Sequence, residues 1–284
     1  MLLAAMVLAV FAASSLFAAP PQRIVSTAPS ITELLYALGL GDRVAGVTTF
    51  CRYPPEAARK PKIGSYTEPN LEAIAALKPD LVIVQTNPVR LTGRLRALKL
   101  RVIEIDQQNL AALYNSFRIV GQAAGAPAAA ARLSDSVRAK LDQIRARAAK
   151  REPTRMTFVV GRSPNRLEGL VVAGRASYLN EIIHLAGGEN VFRDAVASYP
   201  SVSLEAILSR NPQAIVDMGD MSGTVGVTEA HKQAVVALWG RFPAIGAVRD
   251  KRVHAVASDI FVVPGPRVVE AAQAFLAMLH PELP

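Results

Sequence analysis

The chain has 284 residues, 51% hydrophobic and 6% aromatic, with 32 Lys and Arg against 23 Asp and Glu for a formal charge of +9. That length favours two domains over one, and a core dominated by Ala, Val and Leu suits α/β layers better than an aromatic-rich sandwich. Composition excludes disorder, collagen and coiled coil, the single Cys51 excludes an internal disulfide or a multi-cysteine metal site, and the scattered basic charge lacks the aromatic-laced stripe of a nucleic-acid binder.

Residues 1–19 carry no charge and are followed by Pro20-Pro21. They read as a signal peptide with a small-residue cleavage zone near Ala18–Ala19, although Lys and Arg are missing from its start. The alternative is an uncleaved anchor. With no cysteine at the cleavage zone, lipid attachment there is excluded, and the mature protein is expected to be free, exported and monomeric.

Arg23–Thr27 is a β-branched run that predicts a strand. Ser30-Ile-Thr-Glu33 reads as a capping box opening a helix that stops at Gly39 or Gly41. Val44–Thr48 follows as a strand, Asn70–Leu77 as a helix, and Leu81–Gln85 as a fully apolar strand of parallel-sheet type. Thr92–Leu98 is predicted helical and Val102–Ile105 extended. Leu133, Val137, Leu141 and Ile144 then form a helical stripe within Pro127–Arg151, roughly 35 Å of helix at 1.5 Å per residue. Beyond it the alternation resumes with Met156–Val160, Leu170–Ala173, a helix from Tyr178, Ala214–Asp217 and Val253–Ala257.

This order predicts two similar α/β lobes, each a mainly parallel sheet with flanking helices, over 20–126 and 153–284. One long rigid helix over 127–152 would join them, with a ligand cleft between. The alternative is an ordinary helix inside one continuous domain.

An internal repeat supports the two-lobe reading. Asn70-Leu-Glu-Ala-Ile74 matches Ser203-Leu-Glu-Ala-Ile207 at an offset of 133 residues, which also relates Tyr66 to Tyr199 and Pro79 to Pro212. Across a cleft, Tyr66 and Tyr199 would face each other near strand carboxyl ends, where open α/β sheets bind ligands. Glu72 and Glu205 fall at the second position of matching helices. Each alone would be first-turn stabilisation, but the matched pair suggests a surface that meets something two-fold.

Motifs for catalysis are missing. There is no G-x-S-x-G, H-E-x-x-H or Walker loop, and Gly39-Leu-Gly41 ends a helix where a dinucleotide fingerprint must begin one. His184, His231, His254 and His280 lack metal-ligand spacing, His184 reading as a packed helix residue and Cys51 as a half-buried structural thiol. No enzyme activity and no cofactor are expected.

The residues resemble a known family, the periplasmic substrate-binding proteins of the cobalamin and iron-siderophore class, whose lobes are joined by a single long helix. The resemblance rests on Arg23-Ile-Val-Ser-Thr-Ala-Pro-Ser-Ile-Thr-Glu33, Gly46-Val-Thr with Tyr53-Pro-Pro, Asn70–Ala76 with Pro79-Asp-Leu-Val, Ala186-Gly-Gly-Glu-Asn-Val-Phe192 and Pro212-Gln-Ala-Ile-Val. Tyr53-Pro-Pro and Gly-Gly-Glu-Asn-Val-Phe are most similar to the cobalamin-binding branch. The resemblance implies a periplasmic protein that carries a corrinoid as cargo to an ABC permease dimer with its cytoplasmic ATPase. It implies ring contacts from Phe50, Tyr66 and Tyr199, with Gln85 at a further ring position, a polar contact from Asp259, and permease docking by Glu72 and Glu205. Tyr66 and Tyr199 stand where the best-known member has tryptophan, and Gln85 replaces a third. The alternative is the same fold carrying a ferric siderophore, for which Arg162 and Arg166 would supply cleft arginines, or haem, which would instead want a Tyr oxygen or His nitrogen on its iron.

Overall fold

The computed structural model describes residues 19–86, 90–220 and 228–283. Residues 1–18, nearly all of the expected leader, lie outside the described residues. Among the described residues no helix is long and apolar enough to cross a membrane.

The elements of the first half are β1 (Ile24–Ser26), α1 (Pro29–Ala37), β2 (Val44–Gly46), α2 (Pro55–Ala58), α3 (Leu71–Ala76), β3 (Leu81–Gln85), α4 (Leu91–Ala97), β4 (Val102–Ile105) and α5 (Leu110–Ala123). Then comes α6 (Pro127–Ala148). The second half comprises β5 (Thr154–Gly161), β6 (Leu170–Val172), α7 (Tyr178–Leu185), β7 (Gly188–Asn190), β8 (Ser201–Val202), α8 (Leu204–Arg210), β9 (Ala214–Asp217), α9 (Glu229–Trp239), α10 (Gly246–Arg249), β10 (Val253–Ala255) and α11 (Val268–Leu279).

The first sheet is parallel throughout in the order β2-β1-β3-β4. The apolar run Leu81–Val84 is buried on both faces, as a central parallel strand requires. The second sheet runs β10-β9-β5-β6-β8, with β7 also paired to β5; β6 is antiparallel to both of its neighbours. In both repeat units a capped helix leads into a central strand and a further helix: α3, β3 and α4, then α8, β9 and α9.

Helix α6 is where the two halves meet. Its 22 residues span roughly 33 Å at 1.5 Å per residue. It buries Ala130, Val137, Leu141, Ile144 and Ala148 while Arg, Lys and Asp face water. Helix α5 packs against it from the first half, α7 and α11 from the second. One apolar cluster therefore runs from Leu34, Leu113 and Phe117 through Val137 and Leu141 to Phe158 and Phe275. Phe158, Phe261 and Phe275 form a triangle with centroids 5.2–5.6 Å apart. α5, α9 and α11 are elements that the strand-helix alternation passes over.

Two local expectations need correction. The capping box at Ser30 does not form. Pro29 occupies the first helical turn, Ala28 is the N-cap and makes no side-chain bond, and Ser30 lies inside the helix. Proline's fixed φ starts the helix one residue early, which frees Ser30 and Glu33 for tertiary partners. His184 is exposed instead of packed, because α7 buries Tyr178, Leu179, Ile182, Ile183 and Leu185 and leaves position 184 off that stripe. The end of α1 follows the sequence. Gly39, at φ +75°, lets the Gly39 and Leu40 amides reach the Tyr36 and Leu35 carbonyls in a Schellman closure.

A helix buried by both halves cannot act as a loose hinge. Small-angle scattering should therefore give the same radius of gyration for free and ligand-loaded protein, within error. A clear compaction on loading would show hinge closure and contradict the strut.

Candidate functional site

In the order β2-β1-β3-β4 the chain leaves β1 toward one side of the sheet and returns to β3 on the other. The strands' carboxyl ends are parted there, the place where such sheets hold ligands. Ser30, following β1, and Gln85, ending β3, flank this point. The Ser30 hydroxyl donates to Gln107 Oε1 at 2.6 Å and lies 3.3 Å from Gln85 Oε1. Gln107 is buried and its amide nitrogen donates to Ser116 Oγ at 3.3 Å, so its orientation is set from both ends.

This floor opens into a cleft of about 610 Å³ between the halves. From the first half its walls include Phe50, Arg52, Tyr66, Gln85, Asp106 and Gln108; from the second, Tyr178, Ser198, Tyr199, Asp259 and Val263. All five positions expected to meet a ligand, Phe50, Tyr66, Gln85, Tyr199 and Asp259, are thus brought to one cavity. Phe50 is 54% exposed and Tyr199 44%, open aromatic faces at the mouth. The Tyr199 phenol nonetheless lies among protein atoms, and removal from water pushes it up to about 12. Tyr178 is fully buried, donates to the Phe261 carbonyl at 2.8 Å, and is pushed well above the usual phenol range by the same cause.

Beside the cleft, Cys51 is buried within 3.1 Å of the Thr32 and Thr48 hydroxyls, and burial pushes its thiol up. It is more deeply enclosed than the half-buried thiol expected, and it is a packing element.

The cleft wall is tied together by charge. Arg267 donates through Nε to Glu33 Oε2 at 3.0 Å and through Nη2 to Glu33 Oε1 and, at 3.0 Å, to Asp259 Oδ1. Its guanidinium also stacks on Tyr53, 4.0 Å from the ring centroid. Burial raises the Glu33 carboxyl, while the bonds and charge of Arg267 pull it back. A second tie runs from Glu181 Oε2 on α7, which accepts the Leu110 amide at 2.6 Å. It sets a carboxylate at the positive end of α5.

The arginines expected in the cleft for an anionic ligand are elsewhere. Arg162 is paired at 3.0 Å with Asp217, both side chains buried, and Asp217 also accepts Trp239 Nε1 at 2.7 Å and the Gly219 amide at 2.6 Å. Arg166 is exposed beside Glu168. Neither lines the cleft; Arg162, directly after β5, is held instead by Asp217 at the end of neighbouring β9.

Glu72 and Glu205 lie apart from the cleft, exposed in the first turns of α3 and α8. Asn70 and Ser203 cap those helices by accepting the Ala73 and Ala206 amides. The Glu205 amide and the Ser203 hydroxyl hold the Glu205 carboxyl below the usual range. Each glutamate borders a shallow hollow between repeat-related helices. One contains Arg94 and Leu98, the other Arg166, Arg241 and Phe242. No group of three or more potential metal ligands occurs among the described residues.

Arg52, Asp106, Gln107, Gln108, Tyr178 and the Glu33–Arg267 tie escaped the sequence reading. Their one legible signal was position, since Asp106–Gln108 directly follow a predicted strand. The tie joins residues 234 apart and left no local trace.

The family described as "Periplasmic binding protein" matches residues 24–257. A vitamin B12-binding protein of Pectobacterium atrosepticum is 31% identical, over 91% of this chain and 88% of that one. Among solved structures, the periplasmic vitamin B12 binding protein BtuF of Vibrio cholerae is similar at TM-score 0.77 and 27% identity, covering 92% of this chain and 97% of that one. The periplasmic heme-binding protein RhuT of Roseiflexus sp. RS-1 is similar at TM-score 0.75 and 27% identity, covering 91% and 99%.

Asp217→Ala should lower stability by about 3–5 kcal/mol in urea unfolding, because it strands a buried guanidinium and an indole N–H. A loss under 1 kcal/mol would mean that the Arg162–Asp217 pair is not the internal support described.

Proposed function

The chain belongs to the periplasmic binding protein family, and from that membership and the chemistry of the cleft we propose that it is the exported, monomeric carrier of a corrinoid. It delivers this ligand in the periplasm to an ABC permease dimer driven by a cytoplasmic ATPase. The corrinoid is cargo, and the reading assigns no catalysis and no cofactor.

One observation carries the choice of ligand. Beneath its aromatic lips the cleft offers neutral partners, Gln85, Gln107, Gln108, Ser30, Thr67, Thr86, Ser177 and Ser198, with Arg52, Asp106 and Asp259 the only charged ones among the described residues. A corrin ring is flat and apolar with a fringe of amides, which such groups satisfy without placing a charge against a charge. Phe50, Tyr66 and Tyr199 would cover its faces. Haem brings carboxylates and an iron that seeks a His nitrogen or a phenolate. No His or Lys is among the residues described as lining the cleft, so the carboxylates would have Arg52 alone to pair with and the iron only a tyrosine phenol to meet. An anionic ferric siderophore would meet Asp106 and Asp259 with one arginine to offset them.

Incubation with cyanocobalamin, haemin or a ferric hydroxamate, followed by desalting and an absorbance spectrum, tests this directly. Retention of the corrinoid alone is expected, and retention of haemin alone would overturn the assignment. Tyr66→Ala and Tyr199→Ala should each weaken cyanocobalamin binding by about 1–3 kcal/mol in calorimetry, less than additively because one ligand spans both walls.

Glu72 and Glu205 are the proposed docking groups. Repeat-related positions give one carboxylate per lobe, which suits a permease that presents the same basic patch twice. Charge pairs of this kind act largely on association rate and salt dependence. The variant Glu72→Ala/Glu205→Ala should keep its ligand affinity and thermal midpoint yet lose most transport in vesicles carrying the cognate permease. Transport at the parental rate would reduce these glutamates to first-turn helix stabilisers.

A further inference from the structure

Arg267 serves two masters. Its fork holds Glu33 of α1 by two bonds, and one of the same nitrogens also holds Asp259 in the cleft wall of the other half. The Glu33 side chain is 3% exposed, Arg267 12% and Asp259 22%, so the chain of contacts runs from a buried anchor to a ligand-facing carboxylate. The site is built for close approach. A Cβ on Gly265 would lie 3.2 Å from Glu33 Oε2, so glycine there lets the second-half loop settle against α1. Tyr53, stacked on the guanidinium, fixes its plane from the first-half side.

We infer that Arg267 is a positioning residue, setting Asp259 for the polar edge of the ligand and tying that contact to the first lobe through Glu33. The inference rests on the corrinoid reading above and goes further by assigning a role to residues outside the ring-binding set. Two carboxylates share one guanidinium, so the trio carries a net charge of −1. Arg267 is committed to Glu33 by two bonds and to Asp259 by one, which leaves Asp259 carboxylate capacity for a ligand N–H or O–H. It also turns that wall against ligand anions. A planar fork that meets three oxygens at once cannot be replaced by an ammonium, which would hold either carboxylate but not both in this geometry.

A double-mutant cycle with cyanocobalamin as the probe tests the coupling. Arg267→Met alone would strand the buried Glu33 charge, so both charges are removed together in Glu33→Gln/Arg267→Met. Parental circular dichroism is the check that this variant folds. Asp259→Asn should weaken binding about tenfold, the scale of a hydrogen bond to a charged group. Glu33→Gln/Arg267→Met should cost about the same although neither residue is among those lining the cleft. The triple variant should be no weaker than about tenfold, because Asp259 is already out of place. Arg267→Lys should bind between parent and Asp259→Asn.

Parental affinity in Glu33→Gln/Arg267→Met would overturn the positioning role. So would a triple variant weakened about a hundredfold, since the two effects would then be independent. If the parent itself retains no cyanocobalamin, the corrinoid reading fails, and this inference fails with it. Those outcomes are separated by the first titration.

Discussion

Everything that lies between the two halves depends on their spacing, and one apolar core sets that spacing. Helix α6 presents Val137, Leu141 and Ile144 to elements from both sides, so the gap between the sheets is a property of side-chain volume more than of linker length. Close-packed interiors yield little to small forces. The cleft is therefore largely formed before anything enters it, and a ligand meets walls whose separation is already decided.

Within that frame the polar groups divide by partner. Outside the cleft lining, charges are paired inside the protein, Arg162 with Asp217 and Arg267 with Glu33, and they spend their bonding capacity on the fold. The cleft itself is lined by amides, hydroxyls and aromatic rings, which can be covered by an apolar disc and still find partners at its rim. Asp259 is at the boundary, bonded on one side to the buried network and lining the cavity on the other. The basic excess of the sequence is largely spent elsewhere, on surface arginines and on internal pairs, which is why a positively charged chain encloses a nearly neutral cleft.

The sequence made the repeating parts readable. The matched caps Asn70 and Ser203, the glutamates that follow them, the apolar strands and the long helix all leave periodic or duplicated traces, and β3, β4 and β9 fall on the residues that the pattern predicts. Five cleft residues could be named from loops at strand ends and from the family resemblance. What stayed hidden was pairing over distance. Ser30 read as a cap because a serine three residues before a glutamate fits that motif, yet its partner is Gln107, 77 residues away. Glu33 looked like the other half of the same box, and Arg162 looked free to meet a ligand. In each case a tertiary partner won over a local one, because burying a charge or hydroxyl makes an uncompensated group more costly than a lost cap.

The position of α11 has a consequence for how the chain reaches its native state. This last helix supplies Phe275, Leu276 and Leu279 to the core that α6 and α7 also line, and Arg267 stands just before it. The second lobe thus lacks part of its interior until residues 268–279 are in place. Up to that step its sheet would be an open half-shell, and one docking event would then close the core and the Glu33–Arg267 tie together.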